Sequence, residues 1–197
     1  MNTQLRLAVA LSSFLFIVSH LPAAADPGTL QAAEAGDMLA QNKLACQLEL
    51  GMSEHQDYIK AEQWYGKAVA KALPVAEFNL ASLFERGKTA EPIVKREEIM
   101  MLLRRASTKG YVPAILKLAQ RIENGDGVEK DLVQAHVLYN VAAIMGSAQG
   151  VKLRVAVEDK LRLDQIDTAH KNAEKWLADF ALVDKKDLFL EIPPCIN

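Results

Sequence analysis

Apolar and polar positions along this chain fall into a pattern that returns three times. "AQNKLACQLELG" (Ala40 to Gly51), "AEFNLASLFERG" (Ala76 to Gly87) and "AILKLAQRIENG" (Ala114 to Gly125) share one reading. Each has alanine, leucine four residues on, alanine next, and glycine eleven residues after the first alanine. The starts lie 36 and 38 residues apart. Apolar positions at this spacing line one face of a helix. The closing glycine stands where a helix ends and left-handed backbone is wanted.

A second helical segment follows each of these. The three are "DYIKAEQWYGKAVAKA" from Asp57, "KREEIMMLLRRASTKG" from Lys95 and "DLVQAHVLYNVAAIMG" from Asp131. Aligned, they give the columns Ala61/Ile99/Ala135, Trp64/Leu102/Leu138, Tyr65/Leu103/Tyr139 and Ala68/Ala106/Ala142. Steps of three, four and seven again mark one helical face. Asp57 and Asp131 are expected N-caps, accepting from otherwise unpaired backbone N–H groups. The stretch between two such segments, "ENGDGVEKD" (Glu123 to Asp131), looks at first like a calcium loop. Gly127 at the loop's sixth position puts Ile122 at the first and Val133 at the twelfth, and neither can donate oxygen. Starting from Asn124 puts Val128 and Ala135 at ligand positions, so both registers fail. It reads instead as a turn inside a helix pair, with Val128 pointing inward.

One helix pair has too little interior to hide its apolar stripe, whereas stacked pairs make a continuous core. The pattern resembles the Sel-1-like repeat family, relatives of tetratricopeptide repeats. "GDGVEKDLVQAHVLYNVAAIMG" (Gly125 to Gly146) and Asp57 to Ala72 carry the likeness best, and it spans about residues 36 to 146. Ala45, Ala81 and Ala119 stand where the family has glycine, and Leu48, Phe84 and Ile122 where it has tyrosine. The middle unit lacks the Gly-x-Gly-Val turn and carries two extra residues around Pro92. The resemblance implies an all-α, right-handed α-solenoid of about three antiparallel helix pairs, a C-terminal capping helix pair and an extended tail.

Flanking segments fit that frame. "GSAQGVKLRVAVEDKL" begins like a fourth first helix. Asp164 to Phe180 reads as a last amphipathic helix, with Asp164 as its cap and Trp176 in its core face. The solenoid is expected over residues 26–180 and a tail over 181–197, where Pro193-Pro194 forbids helix and "LFLEI" packs back as an extended segment. Residues 1–25 read as a secretory signal: Arg6, the short apolar run "LAVALSSFLFIV", Pro22 and three alanines before Asp26. The expected mature chain is exported, periplasmic or secreted, with no membrane span after cleavage.

Composition narrows the chemistry. Half of the 197 residues are hydrophobic and 6% are aromatic, with a formal charge of −2. That balance carries no nucleic-acid footprint. The two cysteines, Cys46 and Cys195, either pair in a disulfide, as an oxidising compartment favours, or stay as thiols too far apart to bridge. Beyond the signal, His55, His136 and His170 lie in separate segments without metal-ligand spacing, and His136 is expected near the surface. No metal or cofactor is therefore expected. A Gly-x-Ser-x-Gly elbow and a phosphate loop are both missing, so no catalytic residue is assigned. A nucleophilic Cys46 is the one catalytic reading left open. Trp64 and Tyr65 read as core.

The resemblance implies a non-catalytic adaptor or scaffold in the envelope, binding another envelope protein or an exposed peptide segment along the solenoid groove. Asn42, Gln47, Asn79, Lys117 and Arg121 are the first-helix positions expected to meet it. Arg104 and Arg105, in the basic middle unit, are added as a patch for an acidic partner or cell-wall polymer. Two other readings stand beside this one. One is a peptidoglycan or carbohydrate binder. The other is a β-lactamase-like hydrolase, as claimed for relatives whose regular cysteine pairs this chain lacks.

Overall fold

A computed structural model of the chain describes residues 27–52, 55–88, 95–181 and 191–195. The expected signal segment and the insertion around Pro92 lie outside the described residues, as does most of "LFLEI". Among the described residues there are nine helices and no strand. They are α1 (Pro27–Glu34), α2 (Met38–Leu50), α3 (Tyr58–Ala70), α4 (Pro74–Glu85), α5 (Arg96–Thr108), α6 (Val112–Asn124), α7 (Leu132–Ile144), α8 (Ala148–Glu158) and α9 (Leu163–Ala181).

Three helix pairs, α2/α3, α4/α5 and α6/α7, stack in chain order through α3 on α4 and α5 on α6. Helix α1 covers the first unit by packing on α2, while α8 and α9 both pack on α7. The four aligned columns point inward as expected, and only Trp64 among them is half exposed. Val128 packs on the core edge.

Helix ends explain the repeat's punctuation. Asp57 and Asp131 accept from the N–H groups of Lys60 and Gln134 at 2.9 Å. Asp37 and Ser147 do the same for α2 and α8. Lys95 makes no side-chain cap on α5, where Glu97 and Glu98 in the first turn face the positive helix end instead. The expected Asp164 cap is displaced: α9 begins at Leu163, and Asp164 sits in its first turn, paired with Arg162 at 3.0 Å.

Each unit junction turns through left-handed backbone, at Gly36, Ala72, Gly110 and Gly146. At Gly110 a Cβ would stand 2.3 Å from the Phe180 ring, so this turn and the end of α9 fit only with glycine. Gly150 lets α8 approach α7 equally closely, since a Cβ there would meet the Ala143 nitrogen at 2.7 Å.

Candidate functional site

The first helices of the units present a shared face, and the chain's own tail lies on it. Asn42 and Cys46 are one turn apart on α2, Asn79 stands on α4, and Tyr111 precedes α6. Cys195 is bonded to Cys46, with Cα atoms 5.6 Å apart across a separation of 149 residues. Its N–H donates to Asn79 Oδ1 at 2.9 Å, and Asn79 Nδ2 donates in turn to Asn42 Oδ1 at 3.0 Å. The Tyr111 hydroxyl donates to the Ile192 carbonyl at 3.0 Å. Burial raises the pKa of that hydroxyl, which keeps it a donor. The tail therefore runs from the third unit back to the first. Pro193 and Pro194 suit the pose, because they hold extended backbone and have no N–H to satisfy. An Asn amide buried without partners costs about 1–3 kcal/mol. The tail supplies the partner that Asn79 needs.

The expected contact residues are unequally exposed. Asn42 and Asn79 are buried beneath the tail and are closed to a partner while it is seated. Gln47 is half-buried. Lys117 and Arg121 both pair with Glu85, at 2.8 and 2.5 Å. Arg105 pairs with the fully buried Glu77 at 2.8 Å, alongside Lys109 at 2.7 Å. Only Arg104 of the set is exposed.

The pairing of Arg121 with Glu85 belongs to a ladder that the sequence reading missed. Glu49, Glu85 and Glu123 occupy the same place, two residues before the closing glycine of each first helix. Each reaches a base of the following unit: Arg86, Arg121 and Lys160 respectively. Glu49 and Glu123 also accept from the hydroxyls of Tyr65 and Tyr139, at 2.7 and 3.0 Å. Burial pushes the Glu123 carboxyl up, but the bonds from Lys160 and Tyr139 outweigh it and hold the pKa below the ordinary value. The signal was present as Glu-x-Gly in all three segments.

The histidines depart from expectation as well. His136 is fully buried rather than near the surface. Its Nε2 lies 2.9 Å from Glu158 Oε1, and the His170 ring centroid is 5.3 Å from its own. Burial lowers the His136 pKa, and Glu158 only partly opposes that shift. Folding thus unites two histidines that the sequence keeps 34 residues apart. Trp64 carries the Lys67 ammonium 3.5 Å from its ring centroid, and Trp176 stacks on Phe180. Cys46 is consumed by the bridge, so it offers no thiolate for nucleophilic chemistry.

Comparison with known proteins follows this architecture. The family model "Sel1 repeat" matches residues 39–72, 74–111 and 112–147, one match per helix pair. No curated protein sequence matches the chain. Among solved structures, the chain is similar to c5321, a protective antigen present in uropathogenic Escherichia coli strains displaying an SLR fold. That likeness has 27% identity and a TM-score of 0.70 over 78% of this chain. The chain spans only 32% of c5321. A Sel1 repeat protein from Oxalobacter formigenes is 26% identical with a TM-score of 0.58, covering 66% of this chain and 96% of that one.

Proposed function

The chain belongs to the Sel1 repeat family, and from that premise we propose that it is a non-catalytic protein–protein interaction adaptor of the cell envelope. It holds an extended segment of a partner protein along its first-helix face. The observation that carries this reading is the seated tail: that face already grips a proline-containing segment of polypeptide. A buried amide takes the strand's N–H and a tyrosine hydroxyl its carbonyl. Such contacts recognise main chain, so a partner segment of the same kind can use them.

Export is supported by two features. A disulfide joining residues so far apart suits an oxidising compartment. The apolar run before Asp26 has the length and flanks of a cleaved signal. No helix among the described residues is long and apolar enough to cross a membrane.

The test is in-cell crosslinking of a tagged, exported copy, read by mass spectrometry, beside a Cys195→Ser copy whose tail is no longer tethered. One envelope protein should be captured by both, and more strongly by the variant, since the tail and the partner compete for one face. Retention on purified peptidoglycan with no protein captured would replace this reading with a wall-binding one.

A further inference from the structure

His136, Glu158 and His170 come from three different helices, α7, α8 and α9. One ligand atom from each lies within 4.8 Å of the other two. Donors around a tetrahedral zinc ion sit about 3.3 Å apart, given bonds of about 2.0–2.2 Å. The 2.9 Å between His136 Nε2 and Glu158 Oε1 is already close to that span. His170 then has at most about 1.5 Å to close to reach the same span.

A second observation points to a ligand. His170 Nε2 is buried and has no hydrogen-bond partner among the described residues. One residue of the cluster thus carries a buried imidazole nitrogen without a partner, a polar group that a bound ion would satisfy. His136 is fully buried, so a ligand held there is shielded from bulk solvent. Glu158 supplies the anionic oxygen, and Arg154, with Nε 3.4 Å from the same oxygen, orients the carboxylate and moderates its affinity. Both cysteines are in the bridge, so thiolate does not compete.

We propose that His136, Glu158 and His170 form a binding site for a divalent transition-metal ion of the zinc class, which clamps α9 onto the end of the array. Two imidazoles and one carboxylate are a borderline-soft donor set suited to zinc. Three protein ligands leave the fourth position to water. Because the ligands come from α7, α8 and α9, the ion's role is to fix the C-terminal cap, and bound metal should stabilise the fold by mass action.

The test uses the purified full chain, without a polyhistidine tag, stripped with EDTA and exchanged into chelator-free buffer. Zinc chloride is titrated by calorimetry and cobalt chloride is followed by visible absorption. One ion should bind per chain and raise the thermal midpoint. His170→Ala and Glu158→Gln should each weaken binding at least about tenfold, the latter while keeping an acceptor for His136. His55→Ala, at an exposed position outside the cluster, should change nothing. Affinity unaltered by both cluster variants would overturn the proposal. If His170→Ala fails to fold, the wild-type cobalt spectrum decides. Intense four- or five-coordinate bands support the site, and a hexa-aqua spectrum rejects it.

Discussion

The helix-pair array and the C-terminal region are held by opposite kinds of contact. In the array, the same contacts recur from unit to unit: a left-handed junction, a glutamate reaching a base of the next pair and, in the first and third units, an aspartate cap on the second helix. Among the described residues, the units of the array pack mainly on their neighbours. The C-terminal region instead makes contacts that occur once, some of which span the chain. Cys195 reaches Cys46, Ile192 reaches Tyr111, Phe180 covers Gly110, and Glu158 reaches His136. Periodic contacts build a surface, and the unrepeated ones fix how much of it is covered.

Substitutions can separate the two regimes. Cys195→Ser should have the largest effect, because opening a loop of this length removes roughly 5 kcal/mol in the chain-entropy model. Urea unfolding should show the loss, while the helical circular dichroism of the array in native buffer stays near wild type. Loss of that signal would mean that the array depends on the tail. Glu77→Ala strikes the array itself. It leaves Arg105 and Lys109 without their buried carboxylate and should cost about 2–3 kcal/mol. The loss falls at the low end for buried pairs because both bases reach solvent. Its disulfide should still form quantitatively, as thiol counting would show.

Ala72→Gly tests the junction rule in the stabilising direction. Ala72 holds a φ of 61° where the equivalent turns have glycine. Relief of that strain should add about 1 kcal/mol, seen as a higher thermal midpoint. The smallest effect is acid sensitivity. The folded pKa values of Asp57 and Glu123 lie below their ordinary ones. Their contribution is therefore complete above about pH 4.5 and is lost as pH falls through the folded values. Glu123→Gln should flatten the acid limb of the stability curve, and an unchanged limb would remove Glu123 from the ladder's energetics.

What was legible in the sequence follows the same division. Recurrence exposed the helix pairs, the caps at Asp57 and Asp131 and the inward columns, because each signal appears in more than one unit. The glutamate ladder was equally recurrent, but the base that each glutamate reaches lies one unit away, where the pattern within a segment does not show it. Asn42 and Asn79 looked outward-facing because periodicity knows nothing of a tail that returns over them. His136 looked exposed for a like reason: its cover comes from α8 and α9, which lie beyond the last repeat. The pairing of Cys46 with Cys195 was one of two open alternatives, since spacing along a chain does not fix spacing across it.

The bridge also has a mechanical meaning. A stack in which every layer grips only the next behaves as a spring, and its bending is the sum of many small hinges. Tying the first layer to the end of the chain turns that spring into a braced bow, with the bond as its string. Oxidation then sets curvature as well as stability, and the reduced protein should flex over a wider range of end-to-end distances.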